Sequence, residues 1–288
     1  MFDLSPVYDL MLRLMPFETL EPRFMRQALL ALALLAPMTA AMGVQVVNFR
    51  MAFFADAISH SAFAGVAMGL ILSVDPGWSM AVFGVVVGLA IVAAQRRSAL
   101  SSDTVIGVFF AAVVAFGLAV VSRDRNVARD MQRFLYGDIL SIRDGEVVFL
   151  CFLFVALMAF QALAYNRLLY VGLNPALAQT HRVRVAVHQY LYAGLISLVV
   201  VFAVQAMGVL LVTAMLIVPG AAARNLARSA GAMFWWSIMI GLVSAVAGLF
   251  ISAQDWARTA TGATIILVAF GFFLISALAA WLRQGQPR

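Results

Sequence analysis

The sequence places one carboxylate and one imidazole inside a long apolar segment, where such groups are rare. Asp56 and His60 lie four positions apart in the run FFADAISHSAFAG. If this run is helical, both side chains lie on one face, about 6 Å apart along the helix axis. A carboxylate oxygen and an imidazole nitrogen in this arrangement can converge on a cation such as zinc, manganese or iron. The pair therefore predicts a site for a divalent transition metal.

Two other roles for the pair stay open at this point. A buried Asp–His pair could tie two helices together, or it could relay protons. Counted from Arg50 with a rise of about 1.5 Å per residue, Asp56 is about 9 Å deep and His60 about 15 Å deep, near the membrane midplane. A charge at that depth costs at least about 2.5–3.5 kcal/mol, which favours a functional role.

The composition indicates which elements position this pair. The 288 residues are 64% hydrophobic and 11% charged, whereas soluble proteins have roughly 45–50% and about 25%. A soluble domain could not hide so much apolar surface, so lipid must surround most of the chain. Nine runs are long enough to cross a bilayer, for which about 20 residues are needed; they are 27–47, 51–73, 78–95, 104–122, 146–165, 187–206, 208–223, 232–252 and 262–282.

The predicted fold class is therefore all-α, a polytopic membrane protein with eight to nine transmembrane helices. The count is open because the run 208–223 is short and contains Pro219 and Gly220, which are typical of a broken or re-entrant helix. Residues 1–25 mix apolar, acidic and basic side chains and predict an amphipathic segment at the membrane interface. Residues 26–288 are predicted to form the transmembrane domain.

The charges between the apolar runs predict the orientation. If the loop with Arg96 and Arg97 is cytoplasmic, ten arginines and one acid lie on that side, a net charge of +9. Nine arginines and eleven acids lie on the other side, a net charge of −2. The positive-inside rule then places the N-terminus outside and, with nine spans, the C-terminus in the cytoplasm.

Residues that the sequence lacks exclude some kinds of site and disfavour one alternative, an intramembrane metalloenzyme. All 19 basic residues are arginine, so the chain cannot carry the phosphate-binding loop GxxxxGK[ST], which needs a lysine. The single Cys151 rules out a cysteine metal cluster. An intramembrane metalloprotease would need HExxH or three strong ligands, and the only histidines are His60, His181 and His188. The arginines between apolar runs indicate membrane topology rather than nucleic-acid binding. We therefore expect a transport protein, not an enzyme.

Five stretches, taken in order, resemble a known family. The run FFADAISHSAFAGVAMG is similar to the signature of the membrane subunits of bacterial ABC transporters that import zinc, manganese or iron. Similar stretches of that family match SSDTVIGVFFA, FLYGDILSI, GVLLVTAMLIVPGAAARNLA and TGATIILVAFGFFLISAL. Each piece is weakly specific, but together they cover nearly the whole chain in the order and spacing of the family.

The resemblance implies a permease domain at residues 26–288 in the bacterial inner membrane, paired with a second copy of itself. It also implies two cytoplasmic ATPase subunits and an extracytoplasmic metal-binding protein. Asp56 and His60 would then be transient ligands of the transported metal, with no permanently bound cofactor. Zinc is the favoured cargo because it accepts mixed histidine and carboxylate sites; manganese and iron are the alternatives.

The resemblance also assigns a coupling role to the loop 166–186, which precedes the sixth span and docks on the ATPase in that family. The expected contact residues are Asn174, Pro175, Ala178, His181 and Arg182. Asn174 is a good N-cap, followed by proline at the first helical position. Asn174 and His181 stand where the family usually has an acidic residue and a glycine, and its proline before TGAT is Ala260 here.

Three transport alternatives fit the composition less well. A vitamin or metal-chelate ABC permease would share the helical plan, but its cargo would not need an Asp–His pair near the midplane. A passive channel or a proton-coupled carrier would differ in not depending on ATP.

Overall fold

The computed structural model describes residues 4–14, 17–122, 139–257 and 259–284, and these residues contain α-helices and short 3-10 turns but no strand. The α-helices in these ranges are α1 (Ser5–Leu14), α2 (Arg23–Phe49), α3 (Phe54–Leu72), α4 (Pro76–Arg97), α5 (Ser102–Val121), α6 (Asp144–Leu173), α7 (Pro175–Thr180), α8 (Val185–Met207), α9 (Val209–Leu226), α10 (Ala230–Ser252) and α11 (Thr261–Gln284).

The predicted all-α membrane fold is confirmed. Within the described ranges, nine helices are long and apolar enough to cross a membrane, namely every helix except α1 and α7. The seventh of them, α9, is one continuous helix of 18 residues with Pro219 inside it, so it is not broken at that proline. At about 1.5 Å per residue it is roughly 27 Å long, close to the hydrocarbon thickness of a bilayer.

The chain divides into two compact units. The first comprises Met1–Val44, Asp138–Ala159 and Ala214–Arg288, and the second comprises Gln45–Gly137 and Phe160–Thr213. The first five residues of the FLYGDILSI stretch lie outside the described residues, and Ile139–Ser141 forms a 3-10 turn.

In the first unit, small residues let the helices approach closely. Ser237 in α10 donates its hydroxyl proton to the carbonyl oxygen of Ala40 in α2, at 2.8 Å. A Cβ added at Gly43 would collide with the Leu216 carbonyl of α9. This is the packing expected of membrane helices, which gain little from apolar burial and depend on close backbone contact.

The N-terminal segment is attached to the first unit by Asp144, at the start of α6. The Asp144 carboxylate accepts hydrogen bonds from Tyr8 at 2.8 Å, Gln27 at 2.8 Å and Arg23 at 2.6 Å. Leu20, in the turn between α1 and α2, is fully buried. The segment 1–25 therefore packs on the unit through both polar and apolar contacts of its described residues.

In the second unit, α3 packs against α4, α5 and α8. Ser79 of α4 donates to the carbonyl oxygen of Gly65 at 2.7 Å. A Cβ at Gly88 of α4 would meet the hydroxyl of Ser197 in α8. Glycine and serine thus allow α4 to approach both α3 and α8 closely.

The end of α2 determines where α3 begins. The amide of Met51 donates to the Val46 carbonyl at 3.0 Å, and the amide of Arg50 donates to the Val47 carbonyl at 3.3 Å. This is the Schellman arrangement, with Arg50 at the left-handed position, φ 54°. A non-glycine residue pays roughly 1–2 kcal/mol for that conformation. The chain then turns, and α3 starts at Phe54.

The boundary between α6 and the expected coupling loop differs from the prediction. The loop was predicted at 166–186, but α6 continues to Leu173. The reason is an apolar stripe that continues past the predicted span: Ala164, Leu168 and Val171 are buried at helical spacing. The 30 residues of α6 reach about 45 Å, longer than the bilayer core.

Candidate functional site

Helix α3 places Asp56 in its first turn and His60 one turn later, on the same face, as the spacing predicted. Of the residues Phe54–Ala67, all are buried except these two, which are partly exposed. The carboxylate and the imidazole therefore form the one open strip along the first fourteen residues of an otherwise enclosed helix. Because α3 begins at Phe54 rather than at Arg50, Asp56 lies about 3 Å and His60 about 9 Å along it, less than the predicted 9 and 15 Å.

The two side chains have few competing partners. No hydrogen bond or ion pair joins either of them to a described residue, and their charges act mainly on each other. The imidazole of His60 meets the rings of Phe63 and Phe110 edge-on, with centroids 5.7 and 5.1 Å apart. These rings restrict the orientation of the imidazole without occupying its nitrogens.

The strip itself offers two metal-ligating side chains, Asp56 and His60. Among the described residues, no group of three or more His, Cys, Asp or Glu side chains could hold an ion. The hydroxyl of Ser59, between the pair on α3, is buried without a hydrogen-bond partner in this part of the chain. Two strong ligands suit transient binding, because a transported ion must also leave its site.

The coupling segment forms the short helix predicted from its sequence. Asn174 caps α7, and its side chain accepts hydrogen bonds from the amides of Ala176 at 2.9 Å and Leu177 at 3.4 Å. Pro175 is the first helical residue. The helix ends in a second Schellman arrangement, with Arg182 at φ 57° and the Val183 amide donating to Ala178 at 3.0 Å.

The structure corrects the expected contact surface of this segment. Ala178 is fully buried, in a cluster with Val171 and Val185, so its side chain cannot touch a partner protein. The ring of His181 stacks on Tyr170, with centroids 5.1 Å apart. Asn174, Pro175, His181 and Arg182 are exposed, as a contact surface requires.

Two exposed leucines on this surface were missed by the sequence analysis. Leu173 is 78% exposed and Leu177 is 45% exposed, one turn apart across the N-cap of α7. The signal was present as two apolar residues at i and i+4 in a segment predicted to be cytoplasmic. It was not used because the sequence does not show which apolar side chains of the segment stay exposed after folding.

Comparison with known proteins gives matches along almost the full length. Residues 21–280 match the model of the ABC 3 transport family. The chain is 30% identical over 260 residues to the high-affinity zinc uptake system membrane protein ZnuB of Haemophilus influenzae, which covers 90% of this chain and 97% of that protein. It is 33% identical over 261 residues to the manganese transport system membrane protein MntC of Halalkalibacterium halodurans, covering 90% and 88%.

The structure also resembles a solved one. It matches a chain of PsaBC from Streptococcus pneumoniae in complex with Fab, with a TM-score of 0.75 and 29% sequence identity. The match covers 94% of this chain and 95% of that one. The helical plan described above is therefore shared over nearly its whole extent.

Proposed function

The chain belongs to the ABC 3 transport family, and on that premise we propose that it passes a divalent transition metal, zinc in preference to manganese, through the Asp56–His60 site. It is a multi-pass permease subunit of a metal ABC importer in the plasma membrane. It is not an enzyme; ATP hydrolysis belongs to a separate subunit in this family.

The observation that carries the proposal is the open Asp–His strip on α3. A pair that tied helices together would have hydrogen-bond partners on a neighbouring helix, and neither side chain has one among the described residues. A carboxylate left in an apolar helix without partners is unfavourable. Binding of a cation would offset that unfavourable energy while the ion is present.

The preference for zinc rests on ligand chemistry, since the relatives named above include both a zinc and a manganese system. If two copies pair about an axis along the pathway, two carboxylates and two imidazoles can approach one ion. Four such ligands satisfy a tetrahedral zinc. Manganese favours six ligands, most of them oxygen atoms, so water molecules would have to supply the ligands that the Asp–His pairs lack.

The partners follow the same premise. We expect a second copy of this chain, ATPase subunits that contact the segment from Asn174 to Arg182, and an extracytoplasmic protein that delivers the metal. The loop charges support a cytoplasmic position for that segment, with the N-terminus outside. Exposed Val7, Leu10 and Phe17 support an interfacial role for residues 1–25, because these side chains can enter the lipid boundary.

The metal site is tested by uptake per assembled transporter. In proteoliposomes containing the complete transporter, Asp56→Asn and His60→Ala should each lower zinc uptake at least about tenfold, because each removes one of the two ligands. Asp103→Asn is the matched control: it also removes an acid from the first turn of a spanning helix, but an exposed one. Wild type should take up zinc faster than manganese at equal concentration. Near-normal zinc uptake in Asp56→Asn would remove the pair from the pathway.

The coupling segment is tested by crosslinking. With Cys151 replaced by serine, Leu177→Cys should crosslink to a co-expressed ATPase subunit because Leu177 is exposed on α7. Ala178→Cys is one residue away but buried, so it should not crosslink. If the complex stays intact and no exposed position from Asn174 to Arg182 crosslinks, the ATPase docks elsewhere.

A further inference from the structure

The second unit contains a cavity of about 500 Å³, separate in its lining from Asp56 and His60. It lies where α2, α4 and α6 end and where α5, α7 and α8 begin. Side chains rich in hydrogen-bond donors line it: Asn48, Arg50, Gln95, Arg96, Gln179 and Gln189. The proposed metal transport does not use this cavity.

The charge of the lining selects for anions. Two arginines, Arg50 and Arg96, are among the lining residues of the cavity, and no Asp or Glu is. Neither arginine forms an ion pair with a carboxylate in the described part of the chain. Asp103 follows the lining residue Ser102 along the chain but does not line the cavity. A divalent cation would be repelled here, so the cavity is unsuited to the metal pathway.

The neutral donors of the lining have weak partners. The Gln95 amide group donates to the sulfur of Met51 at 3.7 Å, and the Asn48 amide group donates to Gln45 at 3.5 Å. Sulfur is a weak acceptor and 3.5 Å is long for an amide hydrogen bond. Arg96 donates to the amide oxygen of Gln189 at 2.7 Å, which orients its guanidinium group. The lining therefore has more N–H donors than there are protein acceptor atoms bonded to them. A site for a ligand with several oxygen acceptors requires such an excess of donors.

The position of Arg50 is fixed by the backbone. Its left-handed conformation would be adopted by glycine without strain. An arginine there carries the strain, and this arginine is one of the lining residues of the cavity. Part of the strain energy at Arg50 is offset by the helix dipole, because a basic residue at the C-terminal end of any helix interacts favourably with that dipole.

The depth of the cavity indicates the source of the anion. Every lining element is the end of a spanning helix or the short α7 and its flanks. Such ends lie at the boundary between hydrocarbon and water, where lipid phosphates are found. We propose that this cavity binds an oxyanion of the phosphate class, held by Arg50 and Arg96, either as the headgroup of an anionic lipid or as free phosphate.

The test uses the assembled transporter and two probes. Inorganic phosphate is titrated in detergent at constant ionic strength, and phosphatidylglycerol is compared with phosphatidylcholine in nanodiscs, with retained lipid counted by native mass spectrometry. Arg50→Gly and Arg96→Gln should each weaken binding of the effective probe at least about tenfold. Arg50→Gly should still fold, because glycine suits the left-handed position. Arg97→Gln is the control, since Arg97 is adjacent and exposed but does not line the cavity.

The outcomes separate the sources. Retention of phosphatidylglycerol without phosphate binding supports a lipid headgroup, and binding of both supports a general phosphate site. Equal losses in Arg97→Gln and in the cavity variants would overturn the proposal, because they would indicate only surface charge. Failure of both probes to bind wild type would also overturn it. If, in that case, the cavity variants lose the ATPase subunit, the arginines bind a protein carboxylate instead.

Discussion

Two aspartates lie in the first turn of two different helices and have opposite surroundings. Asp56 lies in the first turn of α3 and Asp144 in the first turn of α6. Asp144 accepts hydrogen bonds from Tyr8, Gln27 and Arg23, at 2.6–2.8 Å. Asp56 has no hydrogen-bond partner among the described residues.

The helix dipole does not explain the difference, because both carboxylates lie near a helix N-terminus and gain similarly from it. The difference lies in the neighbouring side chains. The N-terminal segment brings a phenol and a guanidinium group to Asp144, whereas the one charged group that acts on Asp56 among the described residues is His60. A carboxylate that is saturated, in the sense that protein groups occupy its hydrogen-bonding positions, stabilises the fold. A carboxylate without such hydrogen bonds is open to a ligand.

The orientation predicted from the loop charges places the two aspartates on opposite sides of the membrane, and labelling of introduced cysteines tests this expectation. With Cys151 replaced, Gly145→Cys, next to Asp144 and exposed, should react with an impermeant maleimide in intact cells. Ala99→Cys, in the exposed loop after α4, shares the predicted cytoplasmic side with the start of α3 and should react only after permeabilisation. Labelling of Ala99→Cys from outside would invert the orientation.

The next largest effect is on stability. Asp144→Asn should lower the free energy of unfolding by about 1–3 kcal/mol, because it weakens bonds to a charged acceptor. Arg23 is 58% exposed, so its ion pair contributes little, and most of the loss should come from Tyr8 and Gln27. Asp56→Asn should leave stability unchanged or raise it, since no partner is lost. Thermal unfolding in detergent measures both.

Metal uptake per assembled transporter should rank these two variants the other way round. Asp56→Asn should lose uptake, whereas Asp144→Asn should take up metal at nearly the wild-type rate. Glu18→Gln, at an exposed position of the N-terminal segment, controls for loss of an acid. Equal destabilisation by Asp56→Asn and Asp144→Asn would mean that Asp56 also supports the fold and would break the comparison.

The sequence was sufficient to predict the position of Asp56 but not the surroundings of Asp144. Eight to nine spans follow from hydropathy because lipid exposure acts on each segment by itself, and the shared face of Asp56 and His60 follows from helical spacing. The partners of Asp144 could not be predicted, because Tyr8 is 136 positions away and Gln27 is 117 positions away. Whether a carboxylate is saturated or open depends on such distant contacts.

The coupling segment shows the same limit on a smaller scale. Asn174 and Pro175 were predicted correctly as the start of α7, because capping is a local property. Ala178 was expected at a partner surface and is buried, because its neighbours Val171 and Phe49 are brought to it by the extension of α6 and by the end of α2. Local signals placed the helix, but they could not say which side of it faces inward.

The smallest effect isolates one bond of the saturated carboxylate. Tyr8 is 2% exposed and donates its proton to Asp144. Burial, and then the hydrogen bond and negative charge of Asp144, raise the pKa of Tyr8 above its ordinary value of 10.0. A raised pKa in the folded state means that the neutral phenol contributes stability below about pH 10, and that this contribution is lost as the pH rises toward the folded-state pKa. Tyr8→Phe should therefore lower stability by about 1 kcal/mol near neutral pH and should flatten the decline of the melting temperature above pH 10.

The chain has no lysine, and arginine stays charged in this range, so few other groups titrate there. Tyr190→Phe is the control, because Tyr190 has no hydrogen bond to a described residue. If Tyr8→Phe and wild type decline in parallel above pH 10, the phenol does not hold Asp144 in the folded protein, and that carboxylate is less different from Asp56 than its geometry indicates.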